Sequence, residues 1–131
     1  MKLLNEQTPL LKHKTVIRPR YGEVDQMGYV YHANYVSYCH LARTEMLRKF
    51  GINDKVLEAN NIMLPVIDMS LKYHHPAAYD DELEITSMVL ELPKTRFMFY
   101  FEMYCGTTKI CTAKSTVVFV DSQTRKPMRV P

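Results

Sequence analysis

The sequence predicts a single α+β domain: one long helix followed by an antiparallel sheet of about five strands. Three observations carry this expectation. Between about Asn34 and Phe50, apolar and small residues recur at spacings of three and four, the period of a helix with one buried face. After Pro65 the text turns to strand-like alternation up to Val120, with breaks at Pro76–Asp81, Pro93–Thr95 and Gly106–Thr108. The breaks between the last three strands are too short to hold helical crossovers, so those strands must pair antiparallel as a meander.

The chain has 131 residues, of which 47% are hydrophobic and 24% charged, an ordinary globular composition. A chain of this size buries roughly two-thirds of its unfolded surface, enough for one core without disulfides. The formal charge of +3 is spread along the chain rather than gathered in a stripe, which disfavours a nucleic-acid partner. Cys39, Cys105 and Cys111 are odd in number and lack C-x-x-C spacing, so neither a disulfide framework nor a zinc knuckle is expected. The opening Met1–Glu6 shows no apolar core of a secretory signal, and no run long enough to span a bilayer occurs. A soluble, cytoplasmic protein is expected.

Taken in order, residues 1–11 read as a flexible tail, and His13–Arg18 alternates as a first strand. Pro19, Gly22 and Gly28 punctuate a polar and aromatic loop up to Tyr31. The long helix carries its core stripe at Tyr35, Tyr38, Cys39, Ala42, Met46 and Phe50, with Arg43, Arg48 and Lys49 off that stripe. Gly51 supplies a left-handed stop, preceded by cations that suit the helix C-terminus. A short second helix is expected near Asn53–Asn60. Along the third of the later strands Phe97, Phe99, Phe101 and Met103 face one way, while Tyr100 and, farther on, Tyr104 face the other. One helix leaves part of such a sheet uncovered, which predicts a homo-oligomer. Residues 122–131 read as a C-terminal tail.

A serine triad is disfavoured, because none of Ser37, Ser70, Ser87, Ser115 or Ser122 lies in a G-x-S-x-G setting. Cys39 reads as a small core hydrophobe rather than a nucleophile. His74, His75, Asp80 and Asp81 fall close together, but adjacent strand residues point to opposite faces, so no metal site is expected there.

The informative segment is Tyr21-Gly22-Glu23-Val24-Asp25-Gln26-Met27-Gly28-Tyr29-Val30-Tyr31-His32-Ala33-Asn34-Tyr35. Asp25 sits in a loop more aromatic and apolar than solvation requires, several residues ahead of the helix rather than at its cap. Gly28 lets a ligand or backbone approach closely, and the first helical turn near His32–Tyr35 offers unpaired N–H groups at the positive end of the helix dipole. Such donors can hold an oxyanion. A carboxylate in this setting is more commonly a turn or capping residue. Against that, Tyr21, Asp25 and His32 bring titratable groups to one loop, as acid–base or nucleophilic chemistry needs.

The run from Tyr21 to Gly51, through Asp25–Tyr35 and Ala42-Arg43-Thr44-Glu45-Met46-Leu47-Arg48, resembles the hotdog-fold acyl-CoA thioesterases of the 4-hydroxybenzoyl-CoA thioesterase type, especially their bacterial short-acyl branch. The likeness continues more loosely through Tyr73–Ala77 and Asp80–Leu83 into the last strand. It implies a long central helix wrapped by a curved antiparallel sheet, dimers joined sheet edge to edge, and often tetramers. It further implies hydrolysis of an acyl-CoA or acyl-carrier-protein thioester, with Asp25 as the catalytic carboxylate and the His32 amide polarising the carbonyl. Tyr21 and the His32 side chain would line the site. No metal or redox cofactor is implied, coenzyme A being part of the substrate.

Other residues carry secondary expectations. Glu45 lies where a related branch keeps its catalytic carboxylate, yet it reads here as structural. Lys94, Thr95 and Arg96 form a basic turn that either holds CoA phosphates through charge-assisted bonds or is simply solvated. Tyr29 and Tyr31, beside Gly28, either bound an acyl pocket or pack the helix entrance, whereas Tyr35 packs the core. The rival readings are a hotdog enoyl hydratase or dehydratase, and a non-catalytic binder of acyl-CoA or acyl-carrier protein.

Overall fold

A computed structural model describes residues 8–131. Its elements are β1 (Leu11–Ile17), α1 (Asn34–Lys49), α2 (Asp54–Ala59), β2 (Ile62–Met63), β3 (Val66–Tyr73), β4 (Leu83–Val89), β5 (Arg96–Cys105), β6 (Thr108–Val118) and β7 (Val120–Asp121). The five long strands form one sheet in the order β1-β4-β5-β6-β3, every neighbouring pair antiparallel. The strands β4, β5 and β6 form the expected meander. The sheet's two outer strands are β1 and β3.

The helix ends where the sequence says it must. Gly51 takes φ +84°, its amide donates to Arg48 O, and the Ile52 amide reaches back to Leu47 O at 2.8 Å, the paired bonds of a glycine-terminated helix. Tyr35, Tyr38, Cys39, Ala42 and Met46 are buried against Phe97, Phe99, Phe101 and Met103 of β5 and against β4 and β6 in one continuous core. Phe97 stacks on both Phe99 and Phe119. The alternation of β5 thus places its phenylalanines under the helix.

Several expectations need correction. Phe50 lies past the last helical turn and is exposed, its place in the stripe being taken by Leu47. Arg43, expected off the stripe, is buried with only 8% of its surface accessible. On the opposite face of the sheet Tyr100 is not left for a partner to cover: it is buried with Met88, Leu90 and Met98, and Lys114 Nζ lies over its ring.

Of the expected N-terminal tail, residues 1–7 lie outside the described residues, but the Leu10 amide already bonds Val89 O and Leu11 begins β1. The C-terminal stretch is docked rather than loose. Met128 and Val130 donate to Phe119 O and Lys94 O, and Met128 packs on the core. The small β2–β7 pair, absent from the sequence reading, ties the segment after α2 to the end of β6.

Candidate active site

The loop between β1 and α1 is a tight, stitched structure. A 3₁₀ turn spans Tyr21–Glu23, after which Val24 and Val30 bridge antiparallel. Between them Asp25 to Tyr29 reverse the chain: the Asp25 amide donates to Tyr29 O at 2.8 Å and the Gly28 amide to Asp25 O at 3.0 Å. Gly28 adopts φ +81°, a backbone a side chain would strain. Asp25 Oδ1 accepts from the amides of Met27 (2.9 Å) and Tyr29 (3.3 Å), an Asx-type turn. Its second oxygen, Oδ2, has no hydrogen-bond partner among the described residues.

Asp25 therefore does two things at once. One oxygen holds the turn, as the ordinary structural reading expects, and the other is left without a partner on an exposed residue. The enclosure expected from the aromatic loop is not built within one chain: Met27, Tyr29 and Tyr31 are exposed. Tyr21 is exposed too, its ring edge against Tyr79 at 5.8 Å. Together these exposed side chains leave an open apolar collar of sequence neighbours on either side of Asp25.

The helix N-terminus sits beside this loop because several bonds lock it there. Asn34 Nδ2 donates to Glu23 O at 2.8 Å, the Tyr31 amide bonds the same carbonyl, and Tyr38 Oη donates to Glu23 Oε1 at 3.0 Å. The Tyr73 hydroxyl from β3 donates to His32 O at 3.0 Å. The Asn34 amide is satisfied by Tyr31 O, but the amides of His32 and Ala33 find no acceptor among the described residues. They are orphan donors at the positive end of α1. An open cleft of about 280 Å³ adjoins them, lined by Val30, His32, Tyr35, Tyr73, His74, His75 and Pro76. The His32 ring leans on Tyr31 at 4.5 Å.

Not every expected residue gathers here. Tyr73, which touches His32, pairs with Cys111, and Cys111 with Met103; Lys94, Thr95 and Arg96 lie at the other end of β5, whose first residue Arg96 pairs with Val118. From Met103 back to Arg96 the strand runs roughly 20 Å or more. A single chain thus separates the basic turn from the Asp25 loop. Glu45 is engaged with Arg48 Nη1 at 2.7 Å, in keeping with its structural reading. Cys39 is buried and its thiol is pushed well above the usual range, first by desolvation and then by the neighbouring Cys111. His74 and His75 take separate partners, Thr112 Oγ1 and Pro76 O.

The sequence reading passed over Glu23, Asn34, Tyr38 and Tyr73, which fasten the loop to the helix and sheet. The Glu23 carboxyl is held below its ordinary value, chiefly by the Arg20 amide and further by the Arg20 guanidinium and the Tyr38 hydroxyl. Asn34 and Tyr38 stand four apart on α1, a spacing that puts both over one loop.

Comparison with known proteins agrees with this architecture. The family model of the thioesterase-like superfamily matches residues 19–131. The acyl-CoA thioester hydrolase YbgC of Escherichia coli O6:H1 is 34% identical over 116 residues, covering 88% of this chain and 87% of that protein. The 1,4-dihydroxy-2-naphthoyl-CoA hydrolase of Synechococcus elongatus is 27% identical over 114 residues, 86% of this chain and 84% of its own length. Among solved structures, a probable thioesterase from Bartonella henselae superposes with a TM-score of 0.84 at 28% identity, over 92% of this chain and 99% of that one.

Proposed function

Because this chain belongs to the thioesterase-like superfamily and carries its hotdog fold, we propose that it hydrolyses acyl-CoA thioesters, with Asp25 as the catalytic carboxylate. The observation that supports this reading most is the pairing of a carboxylate oxygen without a partner, Asp25 Oδ2, with orphan amides at the start of α1 on the same stitched loop. The acyl-CoA hydrolases among its relatives supply the substrate class.

The chemistry asks little of the protein. A thiol with a pKa of ~8.5 leaves far more readily than an alcohol, so one carboxylate and an oxyanion hole suffice without a metal or a strong general acid. The amides of His32 and Ala33 stabilise the developing oxyanion, a contribution of ~3 kcal/mol per donor. Asp25 either attacks the carbonyl, giving a mixed anhydride that water cleaves, or takes a proton from the water that attacks directly. In both routes the acyl–sulfur bond breaks and the thiolate departs with its electron pair.

The working unit in this reading is a homodimer or a higher homo-oligomer. The outer strand β3 offers an unpaired ladder with Val66 and Ile67 exposed, and the apolar collar around Asp25 calls for a cover. A partner subunit would also bring its Lys94, Thr95 and Arg96 within reach of a CoA that one chain alone keeps from them. The three cysteines are free thiols, as suits the cytoplasm, and no helix among the described residues is long and apolar enough to cross a membrane.

The test is release of free thiol from a panel of acyl-CoAs and acyl-carrier proteins by the wild type and by Asp25→Asn. The substitution is expected to lower kcat at least ~100-fold. Near-normal turnover by Asp25→Asn overturns the mechanism. Loss of an enoyl double bond without thiol release marks a hydratase, and binding without turnover marks a carrier.

A further inference from the structure

Arg43 is the only charged side chain buried among the described residues. Its Nη2 donates to His40 Nδ1 at 3.1 Å, and its guanidinium lies 5.8 Å from the centre of the Phe99 ring. It forms no ion pair among the described residues. Burial, then Arg43 itself, lowers the His40 pKa, so the imidazole accepts a hydrogen bond without offsetting the charge. A guanidinium does not escape burial by losing its proton, and a buried cation without an anion is expensive. Asp54 acts on Arg43 only through space and forms no ion pair with it, so the structure leaves the guanidinium without a contacting counter-anion.

It also leaves space for one. His40 and Arg43 stand between two cavities. One, of about 140 Å³, lies between α1 and β3 and is otherwise mostly apolar, bounded by Val36, Met69 and Phe101, with Ser115 on its floor. The other, of about 290 Å³, opens toward α2, where Asp54 and Glu58 line the wall without pairing with the guanidinium. Ala33, Val36, His40 and Arg43 are spaced three, four and three apart, so they share one face of α1. Ten residues of helix place Arg43 roughly 15 Å from the orphan amides, a span an extended acyl chain covers.

We propose that Arg43 is a specificity residue that binds a carboxylate at the far end of the acyl group, so that the chain favours monothioesters of dicarboxylic acids. The inference rests on the reading of Asp25 and the helix N-terminus as the reacting end. A planar, doubly donating guanidinium matches a carboxylate, and a neutral hydroxyl would leave the buried charge uncompensated. The apolar walls suit the methylene chain between the two ends.

The test compares wild type, Arg43→Met and Arg43→Lys on the CoA monothioesters of hexanedioic, octanedioic and decanedioic acids, each against the simple acyl-CoA of equal carbon count. The wild type is expected to prefer one of the carboxylated substrates. Arg43→Met should lower that preference in kcat/KM at least tenfold, through KM, while Arg43→Lys keeps part of it. An unchanged ratio in Arg43→Met overturns the proposal. Titration calorimetry of the wild type with free octanedioate and octanoate adds a readout independent of turnover: selective binding of the dicarboxylate that Arg43→Met abolishes supports the site, and equal binding overturns it. Should the wild type release no thiol from any substrate, the hydrolase reading fails and the titration still decides Arg43. If Arg43→Met instead dissociates the assembly in sedimentation with substrate preference intact, the missing anion belongs to a second copy of the chain and the ligand site is refuted.

Discussion

The Tyr38 hydroxyl, from the second turn of the central helix, donates to Glu23 Oε1 at 3.0 Å, and this bond fastens the loop presenting Asp25 to the element presenting the orphan amides. Glu23 is the knot of the loop: its carboxylate also receives the Arg20 amide at 2.7 Å, and its carbonyl receives Tyr31 and Asn34. Tyr38→Phe removes one hydrogen bond to a charged acceptor and should cost roughly 1.5–3 kcal/mol in chemical denaturation, with kcat falling as the two halves of the site lose register. Retention of full activity and stability would show that the loop is positioned by other contacts.

Because the Glu23 carboxyl is held below its unfolded value of 4.5, the native state binds fewer protons than the unfolded chain near that pH. Its stabilisation is complete above about pH 4.5 and is lost as pH falls through the lower folded value. Glu23→Gln should flatten the stability profile in that acid window relative to the wild type. Parallel profiles for the two proteins would contradict the assignment.

Asp25 has separable roles, and two substitutions separate them. Asparagine keeps an Oδ1 that accepts from Met27 and Tyr29, so Asp25→Asn should fold like the wild type while losing activity. Asp25→Ala loses both turn bonds as well and should be less stable by about 1–2 kcal/mol. Equal stability of the two variants would mean the turn is held without the side chain.

The long elements were legible because their causes are local and periodic: helix stripe, glycine stop, alternating phenylalanines and short strand breaks all act over a few residues. What escaped notice depends on distant partners. Arg43 carries a solvent residue's chemistry, yet β3 and α2 close over it, which no spacing along α1 announces. Tyr100 reads along β5 as an aromatic for a partner to cover, yet Met88 near the end of β4 and Leu90 just beyond it pack beside it. The Asp25 segment was readable as a loop with chemistry, but the bonds from Glu23 to Asn34 and Tyr38 span eleven and fifteen residues. The distance from Lys94–Arg96 to that loop is a property of register, which the sequence does not print.

His40 adds a second pH dependence. Burial and Arg43 lower its pKa below 6.5, with Asp54 opposing weakly, so the unfolded chain binds a proton at higher pH than the native one. Stability therefore rises with pH through this window and falls on acidification from about 6.5 downward. His40→Gln, which retains an acceptor for Arg43, should remove that part of the slope. His74 is shifted the same way by burial, Lys109 and Lys72, so some slope should persist until His74 is replaced too. A profile unaffected by His40→Gln would show that the imidazole binds its proton alike in the folded and unfolded chain.

The assembly is tested at its edge. Strand β3 pairs with β6 on one side and carries Val66 and Ile67 half-exposed, with a register shift between Val66 and Asp68. A lysine at an outer strand opposes addition of another strand while leaving the existing ladder bonds in place. Ile67→Lys should therefore sediment as a monomer with the secondary structure of the wild type. Its thiol release should fall with the assembly, because the exposed Met27, Tyr29 and Tyr31 around Asp25 would then stay open to water, which weakens the field of the helix amides on a bound carbonyl. If the variant keeps both the mass and the activity of the wild type, pairing does not occur along β3. If it becomes a monomer with undiminished turnover, the site is complete within one chain and the apolar collar serves the substrate alone.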